Sequence, residues 1–264
     1  MPALACAALT ACAAAACGDG SGGAGPPAPA TSAPSSPAPS PSSSPSSSAS
    51  SSPAKDAPAG EKLVLRLRKV GGLAGIGGPG SVPDFSLYST GRAVALSGGE
   101  LTQYRLTPDA LRRLLDEARA AGLSRSHTVG SDRIADAVVT VVTMDGATTR
   151  LIEAGTQAVP EARFLKRLDP AGWPASDQAA KAAPYRPAKT AVLAGEAAGT
   201  GTVRAWPLKP LGDGVPVAGA VCTLAPSAKV PDAKPGTAWR SGGRTYSVRL
   251  RPLLPGESSC RDVG

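Results

Sequence analysis

The chain has 264 residues, a formal charge of +8 and only 3% aromatic side chains, so its core must rest on Leu, Val, Ile and Ala. Lys and Arg are spread along the chain and rings for base stacking are scarce, which argues against a nucleic-acid surface. From Glu61 onward the excess is +9, a balance that favours anionic surfaces in general.

Met1 to Ala16 is almost entirely Ala, Leu, Cys and Thr and carries no charged side chain. Such a run is shorter than the ~20 apolar residues that span a bilayer and has the profile of a secretory signal's apolar region. It ends in Ala14-Ala15-Ala16-Cys17, followed by Gly18-Asp19-Gly20-Ser21. This resembles the lipobox of bacterial lipoproteins, in which small residues precede a cysteine that receives a diacylglycerol before the signal is cut in front of it. The resemblance implies lipidation at Cys17. Leu9-Thr10-Ala11-Cys12 is the alternative, with the better-matching Leu but a very short apolar region before it. Secretory signals open on a basic stretch, whereas the first cation here is Lys55; a start further upstream would supply one, lengthen the apolar region and tilt the choice toward Cys12. Residues 1–17 are therefore read as signal and lipobox. Two or more acyl chains would hold the mature protein stably on a membrane.

Residues 26–54 are Pro, Ala and Ser apart from Thr31. Without large apolar side chains such a segment cannot offset the entropy of ordering. Residues 18–60 are read as a disordered tether, reaching about 130 Å fully extended and about 36 Å as a coil.

Folded structure is expected from Glu61. Leu63, Leu65 and Leu67 alternate with Lys62, Val64, Arg66 and Arg68, the period of a half-buried strand. Phe85 and Leu87, then Val94 and Leu96, flank Ser89-Thr90-Gly91 and read as a hairpin. A helix is the clearest element: Thr107 suits the N-cap, Pro108 the first position and Asp109 the positive end of the dipole. Leu111, Leu114, Leu115 and Ala118 form its apolar face, Leu106 and Leu111 a staple, and Gly122 its end. Val138 to Met144, the Asp145-Gly146 turn and Ala147 to Ile152 make a second hairpin. A short helix spans Pro160 to Leu168, stopped by Pro170. Beyond Pro184 come short strands at Thr190 to Ala194, Thr202 to Trp206, Val221 to Leu224 and Arg244 to Leu250, the last after a Ser241-Gly242-Gly243 turn. The expected class is α+β, mainly antiparallel sheet with one clear and one short helix. Residues 61–183 are the α+β domain, and 184–264 a β-rich C-terminal part, either separate or in the same domain.

With Cys6, Cys12 and Cys17 in the signal region, Cys222 and Cys260 remain in the folded part. In an oxidising compartment these two are a natural disulfide pair, contributing about 3–4 kcal/mol under the chain-entropy model; two free thiols are the other arrangement.

Chemistry is harder to find. Gly75-Ile76-Gly77-Gly78-Pro79-Gly80 matches G-x-G-x-x-G, but a dinucleotide site needs a helix to open there, and prolines and a strand follow. His127, the one histidine, has no G-x-S-x-G elbow to serve and is read as an exposed loop residue. Asp132, Asp136 and Asp145 are explained by a loop and a turn, without the dense spacing of a calcium loop. Two Cys and a distant His give no zinc spacing. Arg66, Arg68, Arg249 and Arg251 would form a basic stripe if their strands paired, and otherwise a solvated sheet face. No catalytic, cofactor-binding or metal-binding residue is assigned.

The lipobox-like cysteine, the Ser/Pro tether and segments such as Phe85-Ser86-Leu87-Tyr88, Trp206-Pro207-Leu208, Trp239-Arg240-Ser241-Gly242-Gly243 and Arg251-Pro252-Leu253-Leu254-Pro255-Gly256-Glu257 resemble uncharacterised secreted lipoproteins of high-GC actinobacteria. The resemblance implies an extracytoplasmic, lipid-anchored envelope protein and brings no activity with it. The expectation is a non-enzymatic binding or interaction module. Its partners would be the membrane, through the anchor, and anionic envelope polymers or another envelope protein. The alternatives are an enzyme acting on a cell-wall component and a secreted inhibitor.

Overall fold

A computed structural model describes residues 60–263, apart from 79, 198–201, 218 and 235. Cys12, Cys17 and the tether through residue 59 lie outside the described residues. The described residues belong to one compact unit, built of two sheets and two α-helices.

The first sheet starts with β1 (Leu63–Gly71), β2 (Phe85–Tyr88), β3 (Arg92–Ser97) and β4 (Glu100–Leu106). After helix α1 (Pro108–Ala120) come β5 (His127–Val129), β6 (Val138–Met144) and β7 (Ala147–Ile152). Helix α2 (Pro160–Leu165) and three short 3-10 turns lead into β8 (Gln178–Pro184). The strands lie in the order β5-β7-β6-β1-β2-β3-β4-β8. The second sheet holds β9 (Lys189–Glu196), β10 (Val203–Ala205), β11 (Val215–Val217), β12 (Ala220–Pro226), β13 (Ala238–Ser241) and β14 (Arg244–Pro252), in the order β10-β13-β14-β9-β12-β11. Both sheets are mainly antiparallel but mixed, because β5 runs parallel to β7 and β10 parallel to β13. The architecture is thus α+β in the broad sense, with a parallel pair in each sheet that strand patterns alone did not reveal. Strands change sheet between Pro184 and Lys189.

Local chemistry explains the best-defined elements. The Thr107 hydroxyl accepts from the Ala110 backbone N–H at 3.2 Å, capping α1 ahead of Pro108. At the other end Leu123 N–H reaches the Ala118 carbonyl and Gly122 N–H that of Arg119, with Gly122 at φ +90°. That is a Schellman ending, and its left-handed residue is where a side chain would be strained. Leu123 and Ala118, both fully buried, supply the accompanying apolar contact. In the β6–β7 hairpin Asp145 and Gly146 both have positive φ, as a tight turn matched to strand twist requires.

Packing divides along the faces of each sheet. Leu65, Leu67, Phe85, Leu87, Val142 and Leu151 point to one side of the first sheet and bury Leu114 and Ala118 of α1 and Phe164 of α2 in the main core. All four residues of β2 are buried, because the second sheet's C-terminal loop covers its other face: Tyr88 and Val94 pack there against Leu254. In the second sheet β9 is central and buried on both sides. Ala191 and Leu193 join Cys222, Leu253 and Cys260, whereas Val192 and Ala194 join Trp206, Trp239 and Tyr246. Trp206 and Trp239 meet edge to face at 5.2 Å. The two sheets are tied by Tyr185 O–H donating to the Leu253 carbonyl (2.8 Å) and Gly80 N–H to that of Val263 (3.1 Å). Among the described residues no helix is long and apolar enough to cross a membrane.

Candidate functional site

A groove opens on the helical face of the first sheet, where α2 and the turns after it leave part of the sheet uncovered. Its volume is about 630 Å³, within the range of small-molecule sites. Leu67, Phe85, Ala95 and Thr140 form the floor, and Ala162, Leu165 and Leu168 the wall. The lining also carries three cations, Lys69, Arg163 and Lys166, and three acids, Asp84, Glu153 and Asp169. The acids are occupied with local structure. Asp84 accepts from the Lys69 backbone N–H (2.7 Å), Glu153 from that of Val138 (2.6 Å) and Asp169 from that of Ala171 (3.0 Å). One oxygen of each acid is thus tied to nearby backbone, and the groove combines an apolar floor with charged groups of both signs.

His127 is not an exposed loop residue. It opens the short strand β5, pairs through Thr149 of β7 and is half-buried. Its Nδ1 is in hydrogen-bonding contact with the Arg125 carbonyl and its Nε2 with Glu161 Oε1, both at 2.9 Å. The ring joins β5 to α2 and lies outside the groove lining, with both nitrogens engaged. Asp132 and Asp136 sit exposed in the loop before β6, and Asp145 in its turn accepts from Arg119 Nε at 3.3 Å. The glycine stretch from Gly75 leads to strand β2 without opening a helix. Among the described residues no group of three or more His, Cys, Asp or Glu is placed to hold a metal ion.

Of the four arginines read as a solvated sheet face, Arg249 is exposed, whereas Arg66 and Arg68 are half-buried and Arg251 is buried. β1 and β14 belong to different sheets, so they form no paired basic stripe. Arg66 and Arg251 nevertheless meet, on a residue that sequence reasoning did not single out. Glu257 accepts from Arg251 through Nη1 and Nη2 (the latter at 2.9 Å), from Arg66 Nη2 at 3.2 Å and from the Leu254 N–H at 2.8 Å. Arg251 is wholly buried, because the Pro252–Glu257 loop folds back over the strand face that alternation exposes. The available signal was an arginine followed by a Pro-Gly-Glu turn within reach of its guanidinium.

Tyr88 and Tyr185 border this layer. Burial, chiefly, raises the pKa of both hydroxyls, Tyr88 far above the usual tyrosine range. A phenol whose folded pKa is raised contributes stability that is complete below its unfolded value near 10 and lost as pH rises past it. Unfolding midpoints measured between pH 9 and 12 are therefore expected to fall, and less steeply in Tyr88→Phe. Equal slopes in the two proteins would contradict the assignment.

The Cys222–Cys260 disulfide ties β12 to the C-terminal 3-10 turn, with a Cα–Cα distance of 5.9 Å. Both cysteines are buried against Ala191, Leu193, Leu253 and Val263. Comparison with protein-family models, with curated proteins and with solved structures gives no match for this chain.

Proposed function

We propose that this chain is a lipid-anchored protein of the cell envelope, on the extracytoplasmic side, that binds a ligand or partner with its folded part. The observation that carries this reading is the buried Cys222–Cys260 bridge, since disulfides form and persist in oxidising compartments and are rare in the cytosol. The Ala14-Ala15-Ala16-Cys17 run and the Pro/Ser stretch beyond it supply the anchor and the spacer. The groove beside α2 is where a ligand fits, and the basic excess favours anionic envelope polymers as partners. Binding is preferred to catalysis because the lining carboxylates are tied to backbone and the histidine is a structural tie.

Intact-mass measurement of the native protein tests this. The expected mass is that of a chain beginning at Cys17 with diacylglycerol attached, Cys12 being the alternative start. A lipid-free chain from the soluble cytosol, with the first sixteen residues still present, would refute it.

A further inference from the structure

The layer between the two sheets holds more donors than acceptors. Arg66 and Arg68 enter it from β1, and Arg251 from β14. One carboxylate, Glu257, touches Arg66 and Arg251. The second within electrostatic reach of Arg68, Asp84, has Oδ2 committed to the Lys69 N–H. The Nε atoms of all three arginines are buried without a hydrogen-bond partner, and the buried Ser86 Oγ and Tyr88 Oη have no partner beyond each other, which leaves one hydroxyl proton of that pair to donate. An arginine Nε can only donate, and a hydroxyl donates readily. What this layer lacks is therefore an acceptor.

Register gathers these groups. Arg66 lies directly opposite Ser86 in the β1–β2 ladder, and side chains two apart on a strand share a face, so Arg68 and Tyr88 flank that pair on the same side. Arg251 joins them through Glu257. Ser86, Tyr88 and Arg251 are wholly buried. Arg66 keeps 22% of its side chain exposed, leaving an approach from the β1 side. Burial, with the neighbouring Arg66 and Arg251 charges, lowers the Arg68 pKa, as expected where cations crowd without enough counter-charge. Orphaned buried polar groups are uncommon in native proteins, and several together call for a water or an ion. A water would leave the excess positive charge uncompensated.

We infer that this inter-sheet layer is a binding site for a small free oxyanion, of the phosphate or sulfate class, taken by the Nε groups of Arg66, Arg68 and Arg251 and the hydroxyls of Ser86 and Tyr88. Guanidinium forks match oxyanions in shape as well as charge, which favours this class over a halide.

The test is thermal unfolding of the full chain at constant ionic strength, with sodium chloride replaced stepwise by sodium phosphate or sulfate. The expected result is a saturable rise in Tm of about 5–10 °C at a hundredfold excess over Kd, with one ion bound per chain by calorimetry. Arg68→Gln should abolish both. Arg68 makes no contact with Glu257, and if the variant fails to fold, Ser86→Ala should weaken binding about tenfold. No rise over the chloride control, or a non-saturating rise shared by Arg68→Gln, overturns the site as a general salt effect. So does unchanged affinity in Ser86→Ala. A glycerophosphodiester in place of inorganic phosphate should give no rise; a rise with the diester alone would overturn the free-ion form and mark the group as part of a larger molecule.

Discussion

Glu257→Ala is expected to destabilise the fold by about 3–5 kcal/mol, the cost of leaving a buried charge without its partner. Arg251 is fully enclosed and both of its Nη groups end on Glu257. Truncation leaves an enclosed guanidinium that cannot lose its proton. It also removes the acceptor for the Leu254 N–H, which shapes the covering loop. Replacing both partners with apolar residues, Arg251→Met with Glu257→Leu, is expected to recover most of the loss, because a well-packed apolar pair escapes the desolvation penalty. Urea unfolding of the three proteins checks both statements. A loss below about 1 kcal/mol in Glu257→Ala would mean that the layer is wet and the pair screened, as exposed ion pairs are.

The second large effect is expected at the bridge. Substituting both cysteines, Cys222→Ser with Cys260→Ser, should cost about 3–4 kcal/mol from the loop-closure entropy returned to the unfolded chain. The bridge spans 38 residues in sequence and lies within the second sheet's inner core, so two hydroxyls among Ala191, Leu193 and Val263 add a polar penalty. Dithiothreitol should lower the unfolding midpoint of the native protein by a similar amount and leave the serine variant unaffected. Identical midpoints with and without reductant would show that the bridge does not constrain the chain.

What could be read from the sequence was what local chemistry decides. Helix α1 was legible end to end because Thr107, Pro108 and Gly122 each act within a few residues. The β6–β7 hairpin was legible because Asp145-Gly146 accepts positive φ where the strands must turn. Strands decided by distant partners were not. Gln178–Pro184 is rich in Ala, which favours helix, yet it forms edge strand β8 because β4 offers a ladder for it. Ala238–Ser241 is too short to show a period, and its place follows from pairing with β14 and β10.

The same division governs the sites. The cysteine pair was legible by elimination, since Cys222 and Cys260 are the two cysteines that fall in the folded part. The groove was not, since its floor and wall come from strands and turns far apart in sequence. Arg66 and Arg251 read as solvent-facing because alternation describes a strand's two faces without saying what covers them. In this fold the second face of β1 and β2 is covered by a loop ending in Glu257.

Maturation of this body outside the cytoplasm is tested most directly by the thiol state of the protein trapped by alkylation in intact cells, with its fractionation. The prediction is that Cys222 and Cys260 escape labelling until reductant is added, in material recovered with the membrane. Both cysteines fully labelled without reductant, in soluble cytosolic material, would contradict it.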